Sequence, residues 1–206
     1  MIERVRQAIR RTIRSLARPL NNLTGGGVTP NEVTVFGLIM HLPIAYLIAI
    51  GSNLWAAILL VFFGLFDTLD GELARLQKRD SPSGMLLDAS TDRIKEVILY
   101  SGAAYILAKG DHPTTAVWAV AACGASLSVS YIKAKGEAAI ATSKQTFTHG
   151  ELNYLLANGL MRFEIRMVLL IVGLLVNRLL YAIIVIAILS SFTALQRLIF
   201  ITRKLS

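Results

Sequence analysis

Apolar residues in this chain run in blocks about long enough to cross a bilayer, rather than recurring at amphipathic spacing. That pattern confines the chain to helical membrane architectures. The hydrophobic share, 54%, exceeds the ~45–50% of an ordinary soluble domain, and charged residues make up only 17%. A length of 206 residues accommodates six helices of ~20 residues with short loops and little else. The expectation is therefore an all-α integral membrane protein, one membrane domain over 1–206. Its six transmembrane helices would lie within about 33–201, preceded by an amphipathic interfacial helix over 1–22.

The six spans are expected at about 33–50, 54–77, 84–107, 115–132, 165–176 and 179–201. The second is apolar to Phe66 and then continues as a polar-faced helix. A polar stretch over about 133–158 separates the fourth span from the fifth. No internal repeat or low-complexity region interrupts them.

The formal net charge is +8, a balance that fits nucleic acid or an anionic membrane surface. Arg4, Arg6, Arg10, Arg11, Arg14 and Arg18 alternate with Val5, Ile9, Ile13, Leu16 and Leu20. Such a helix lies in the interface of an anionic leaflet, and in a membrane chain that reading displaces nucleic acid. The arginines also break the apolar core that a cleavable signal peptide needs. Loop charge sets orientation. One side would hold the N-terminal arginines, Arg75, Lys78, Arg79, Lys133, Lys135, Lys144, Arg203 and Lys204; the other has Lys109 and Arg178. Both termini are expected on the cytoplasmic face of the cell membrane, which six spans satisfy.

Charged side chains inside membrane helices are costly and by default functional. Four of the six aspartates are Asp67, Asp70, Asp88 and Asp92. At about 100° per residue, Asp67, Asp70, Gly71 and Ala74 share one face of the second span. Gly84, Asp88 and Asp92 share one face of the third. Two carboxylates from each of two antiparallel helices would then converge near the cytoplasmic side. Uncompensated, they would repel and take up protons. One divalent cation or a pair relieves this, and an all-oxygen site suits Mg²⁺, Mn²⁺ or Ca²⁺. The small residues leave room beside the ions, and Arg75 offers a planar cation suited to phosphate. The set describes a site for a pyrophosphate-bearing substrate, in which two metals stabilise an in-line displacement.

The segment DTLDGELARLQKRDSPSGMLLDASTD fits the pattern D-x2-D-G-x2-A-R-x8-G-x3-D-x3-D without departure. Chance would produce those eight fixed residues about once in 10⁹ to 10¹⁰ registers. On this segment the chain resembles the CDP-alcohol phosphotransferases. GVTPNEVTVFGL is similar to the stretch that opens the first span in that family, where the residues matching Pro30, Asn31 and Thr34 lie near the nucleotide. The resemblance implies that Asp67, Asp70 and Asp88 are metal ligands. Asp92 would be the catalytic base, and a ligand as well. Asp70, Gly71, Ala74, Arg75 and Gly84 would help seat the CDP-lipid. It further implies Mg²⁺ or Mn²⁺, two ions in all, a homodimer, and a CDP-diacylglycerol or CDP-archaeol donor.

For the acceptor, SYIKAKGEA resembles a segment of phosphatidylinositol-phosphate synthases in which basic residues bind the phosphate of inositol phosphate. Lys133 and Lys135 occupy those positions, the second commonly being arginine in the family. GLMRFEIRMVLL aligns Arg166 with a further arginine, with Arg162 a looser match, and Arg197 would complete the cluster. The implied activity is transfer of a phosphatidyl group from CDP-diacylglycerol to inositol phosphate, with release of CMP. Rival acceptors are glycerol 3-phosphate, inositol, serine or a second lipid. A cation transporter with intramembrane carboxylates is the non-enzyme rival, but it would need neither Arg75 nor the two glycines. Lys133 and Lys135 could instead serve topology alone. Cys123, the one cysteine, reads as a packing residue. His41, His112 and His149 lack ligand spacing and read as packing or loop residues, and Trp55 as an interfacial anchor.

Overall fold

The computed structural model describes residues 17–143 and 159–205, and among these no strand occurs. Among the described residues, and besides the helical stretch at 17–23, the helices are α1 (Pro30–Ala49), α2 (Asn53–Gly64), α3 (Phe66–Gln77), α4 (Pro82–Lys109), α5 (Ala116–Thr142), α6 (Phe163–Leu175) and α7 (Leu179–Leu205). A 3-10 turn, Pro113–Thr115, leads into α5. Of the expected interfacial helix, 1–22, only 17–22 falls within the described residues, where the chain is helical; 1–16, Lys144 and His149 lie outside them.

Local chemistry fixes the ends that matter for the site. Thr29 and Glu32 form a reciprocal capping box at the start of α1, with Pro30 at the first helical position. Ser81 caps α4 by accepting from the Gly84 N–H at 3.1 Å, again followed by proline. Lys78 takes a left-handed conformation, φ 54°, to close α3. The apolar and polar halves of the second expected span are separate helices, α2 and α3, that meet at Leu65.

Four helical segments are long and apolar enough to cross a membrane: Pro30–Ala49, Asn53–Gln77, Pro113–Thr142 and Leu179–Leu205. The spans expected at 84–107 and 165–176 are helical but of different character. Helix α4 has 28 residues, yet it carries Asp88, Asp92, Arg93, Lys95 and Glu96. Helix α6 has only 13 residues, about 20 Å of rise against a hydrocarbon core of ~30 Å.

The principal contacts close a ring, α1 on α4, α4 on α5, α5 on α7, α7 on α6, α6 on α2 and α2 on α1, while α3 lies against α1 and α2. Ile44, Ile48, Leu60, Leu99, Leu170 and Ile183 are among the buried side chains of its core. Phe36, Leu42, Trp55, Val117 and Phe192 face outward, exposed, as a lipid-facing surface requires. Gly102 permits the close approach of α1 and α4, because a Cβ there would strike the backbone of Ala45. His41 is buried, and its Nδ1 lies 2.7 Å from the Gly37 carbonyl. That is the packing role expected of it.

Candidate functional site

Antiparallel α3 and α4 each bring two aspartates to the same region, with α1 covering one side. Asp67, Asp88 and Asp92 lie within electrostatic reach of one another, and Asp70 within reach of Asp67 and Asp88. Asp70 is buried. Its Oδ2 accepts from the Thr34 hydroxyl of α1 at 2.6 Å, and its Oδ1 from the Gly71 N–H at 2.6 Å. Thr34, expected near the nucleotide, therefore fixes one of the carboxylates directly. Asn31 stands beside Gly84, where a Cβ would come within 3.5 Å of the Asn31 Oδ1 and 3.2 Å of the Ser81 Oγ. The starts of α1 and α4 thus meet where Pro30, Asn31 and Gly84 were expected together. Ala74 lies on the same α3 face, half-buried.

Arg75 is half-exposed and donates to Glu72 Oε1 at 2.7 Å. A Cβ on Gly71 would lie 3.6 Å from Arg75 Nη2, so the glycine keeps open the space the guanidinium reaches over. Glu72 is buried, while the Arg75 side chain reaches outward, 49% exposed.

Sequence reasoning missed the cation between the carboxylates. Lys95 is 0% exposed. Its ammonium donates to Asp67 Oδ1 at 2.5 Å and to Asp92 Oδ1 at 3.4 Å. The clue was present in the chain: Lys95 and Glu96 follow Asp88 and Asp92 at helical spacing, on the same face.

Among the described residues, no three carboxylate, imidazole or thiolate groups are arranged to enclose a metal ion. The donor chemistry nevertheless fits one. Four carboxylates face each other across two helices, and a buried ammonium already occupies a cationic position between two of them. Hard oxygen donors of this kind suit Mg²⁺ or Mn²⁺.

Next to Asp92 a second network leads away through α4. Arg93 lies 3.6 Å from Asp92 Oδ2 and donates to Glu96 Oε2 at 2.7 Å and to Ser130 Oγ of α5 at 2.6 Å. Its guanidinium also sits 4.9 Å above the Phe163 ring. Glu96, fully buried, receives Arg166 of α6 in a two-pronged pair, Nε at 2.7 Å and Nη2 at 2.9 Å. The Arg166 Nη1 donates to the Met161 carbonyl at 2.6 Å.

The four basic residues expected to bind the acceptor are therefore in unlike situations. Arg166 is buried and engaged on all three nitrogens. Arg197 of α7 is buried near it, donates to the Val129 carbonyl at 2.9 Å, and has no partner for Nε among the described residues. Lys133 is exposed and 3.8 Å from Glu137 Oε1, while Lys135 lies 5.9 Å from the Tyr131 ring. Arg162, the looser candidate, is exposed at the start of α6.

Residues 27–194 match the family model described as CDP-alcohol phosphatidyltransferase. A phosphatidylinositol phosphate synthase of Corynebacterium glutamicum is 39% identical over 114 residues, 54% of this chain and 52% of that protein. The match thus spans about half the length of that curated relative. The crystal structure of Mycobacterium tuberculosis phosphatidylinositol phosphate synthase with CDP-DAG bound has a TM-score of 0.78 at 26% identity, covering 93% of this chain and 94% of that one. The same enzyme in complex with manganese and citrate gives 0.76 at 25% identity, covering 92% and 88%.

Proposed function

The chain belongs to the CDP-alcohol phosphatidyltransferase family, and on that ground we propose that it transfers a phosphatidyl group from CDP-diacylglycerol, or the archaeol equivalent, to inositol phosphate, releasing CMP. The observation that carries this reading is the facing of Asp67 and Asp70 against Asp88 and Asp92 across α3 and α4, with a buried ammonium between two of them.

Asp67, Asp70, Asp88 and Asp92 would hold the divalent ions, Mg²⁺ or Mn²⁺ and two in number. When bound, these supply Lewis-acid stabilisation of the charge that develops on the phosphates. Thr34 orients Asp70 through its hydroxyl. Gly71 and Gly84 keep side chains out of the space between Arg75, Asn31 and the aspartates, and Ala74 and Pro30 line the same approach. Arg75 turns from Glu72 to a phosphate oxygen of the donor. Asp92 Oδ takes the proton from the acceptor hydroxyl, whose oxygen bonds to the lipid-side phosphorus as the bond to the CMP oxygen breaks.

For the acceptor phosphate, the buried Nε of Arg197, without a partner among the described residues, beside the buried Arg166 supports an anion at the junction of α5, α6 and α7. Lys133 and Lys135 stand on the adjoining surface of α5. We further read the chain as one membrane domain with six membrane-crossing segments, α4 and α6 crossing within the protein ring. Both termini and the site would be cytoplasmic, the 1–22 segment interfacial, and the assembly a homodimer.

The test is a panel of alcohols offered to purified protein with CDP-diacylglycerol and Mg²⁺ or Mn²⁺, following CMP release. Inositol phosphate is expected to be used far better than free inositol, glycerol 3-phosphate or serine. Exhaustive EDTA treatment should abolish turnover, and added Mg²⁺ or Mn²⁺ should restore it. Full activity after EDTA would defeat the metal assignment; equal use of inositol and inositol phosphate would defeat the acceptor.

A further inference from the structure

An ammonium with no exposure to solvent is costly unless its charge is met. Lys95 meets that condition with two of the four carboxylates of the candidate metal site. The pairing has consequences for charge. Asp67, Asp70, Asp88 and Asp92 carry four negative charges between them when ionised. Arg93 and Arg166 share the single charge of Glu96, so one positive charge of the two remains, and Arg93 also lies 3.6 Å from Asp92. Lys95 and Arg93 together therefore cancel two of the four. One divalent ion cancels the remaining two. A second would leave the site with two uncompensated positive charges in a weakly solvated place, an unfavourable state. A pyrophosphate diester carries two negative charges and would restore the balance.

We propose that Lys95 is a built-in counter-cation that limits the unliganded site to one tightly held divalent ion, so that the second is taken up only together with a pyrophosphate-bearing donor. The inference rests on the metal reading of the aspartates given above. Lys95 is a positioning residue in this role, because it acts on Asp67 and Asp92 and not on substrate. It also ties α3 to α4 before any metal arrives, bonding to Oδ1 of Asp67 and Oδ1 of Asp92, while Asp92 Oδ2 faces Arg93 at 3.6 Å. The consequence is an ordered site: the donor's own phosphates complete it, and a fully loaded metal pair does not form without substrate.

Mn²⁺ binding to the full-length protein in detergent, measured by calorimetry and by the paramagnetic resonance of free Mn²⁺, tests this without reference to turnover. The wild type is expected to bind one Mn²⁺ tightly and a second at least about tenfold more weakly. CDP-diacylglycerol, with no acceptor alcohol present, should bring the second to comparable affinity. Lys95→Met removes the charge while keeping the length of the side chain. It should bind two Mn²⁺ tightly without donor, because a unit charge a few ångströms away is worth more than a factor of ten in affinity. Its thermal midpoint should be lowered without Mn²⁺ and recover on Mn²⁺ addition. Two equally tight sites in the wild type without donor, or an unchanged count and affinity in Lys95→Met, would overturn the inference and leave the metal site standing. No Mn²⁺ binding by the wild type would overturn the metal reading itself. Should Lys95→Met not fold, the wild-type titration with and without CDP-diacylglycerol decides the matter alone.

Discussion

The carboxyl group of Asp92 stands between two cations of its own helix, Lys95 at 3.4 Å and Arg93 at 3.6 Å. As the base of the proposed reaction it needs its charge and basicity, and Asp92→Asn removes both while keeping its shape. General-base contributions are typically about 10²–10⁴-fold, and CMP release should fall by that much with the fold intact. Retention of more than about a tenth of turnover would remove Asp92 from the chemistry. Arg166 calls for a different expectation. Its guanidinium lies against both oxygens of the fully buried Glu96, and removing one partner of such a pair costs about 3–5 kcal/mol. Arg166→Ala should therefore lower the unfolding midpoint in micelles sharply, and Glu96→Ala likewise. The double variant should lose less than the sum of the two. Strict additivity would mean that the pair is not coupled. Lys133→Ala, exposed and loosely paired, should instead leave stability alone and raise the acceptor KM by about 10-fold or more. The aspartates were legible in the sequence because their spacing is set by one helix each. The partner of Arg166 was not, since Glu96 lies 70 residues away and only the packing of α6 on the ring brings them together.

At the level of helices, the apolar blocks located most of the elements. The TPNE stretch that opens α1 and the SPSG stretch that opens α4 are cap signatures, and the turn at Gly51 uses a glycine at φ 77°. The break at Leu65 was hidden, because no proline marks it and Leu65 itself keeps a right-handed helical conformation, φ −74° and ψ −20°; only the change from apolar to polar character signals it. The short α6 was placed within two residues, 165–176 expected against Phe163–Leu175. Tertiary packing also reverses an expectation from propensity at Gly102. In an exposed helix interior, glycine to alanine gains about 1 kcal/mol. Here the new Cβ would strike the Ala45 backbone on α1, and backbone cannot rotate away as a side chain can. Gly102→Ala should destabilise by about 1–3 kcal/mol. It should also weaken Mn²⁺ binding, because α1 carries the Thr34 that holds Asp70. A stabilised variant would show that α1 and α4 have freedom to separate.

Depth in the bilayer connects the whole ring to its chemistry. Asp88 and Asp92 lie six and ten residues into the 28-residue α4, about 9 and 15 Å from its start. The site is therefore nearer the α3–α4 connection than the far end of the helix. That connection carries Lys78 and Arg79, whereas the other end of α4 has Lys109, held over the Tyr105 ring at 4.6 Å. In the proposed reaction the nucleotide headgroup of the donor lipid and the phosphorylated alcohol are polar and would reach such a depth only from the near side, so the basic end would face the compartment that supplies them. On the proposed topology, with its positive-inside bias, that side would be the cytoplasm. In a Cys123→Ser background, which removes the one native thiol, cysteines placed at Arg79 and at Asp111 separate the alternatives. A membrane-impermeant maleimide added to intact cells should label Asp111→Cys and spare Arg79→Cys, and inverted vesicles should give the reverse pattern. Labelling of Arg79→Cys from outside would turn the molecule over. It would place the aspartate site away from any cytoplasmic supply of CDP-lipid, and the donor would then have to be something other than a nucleotide-activated lipid made inside the cell.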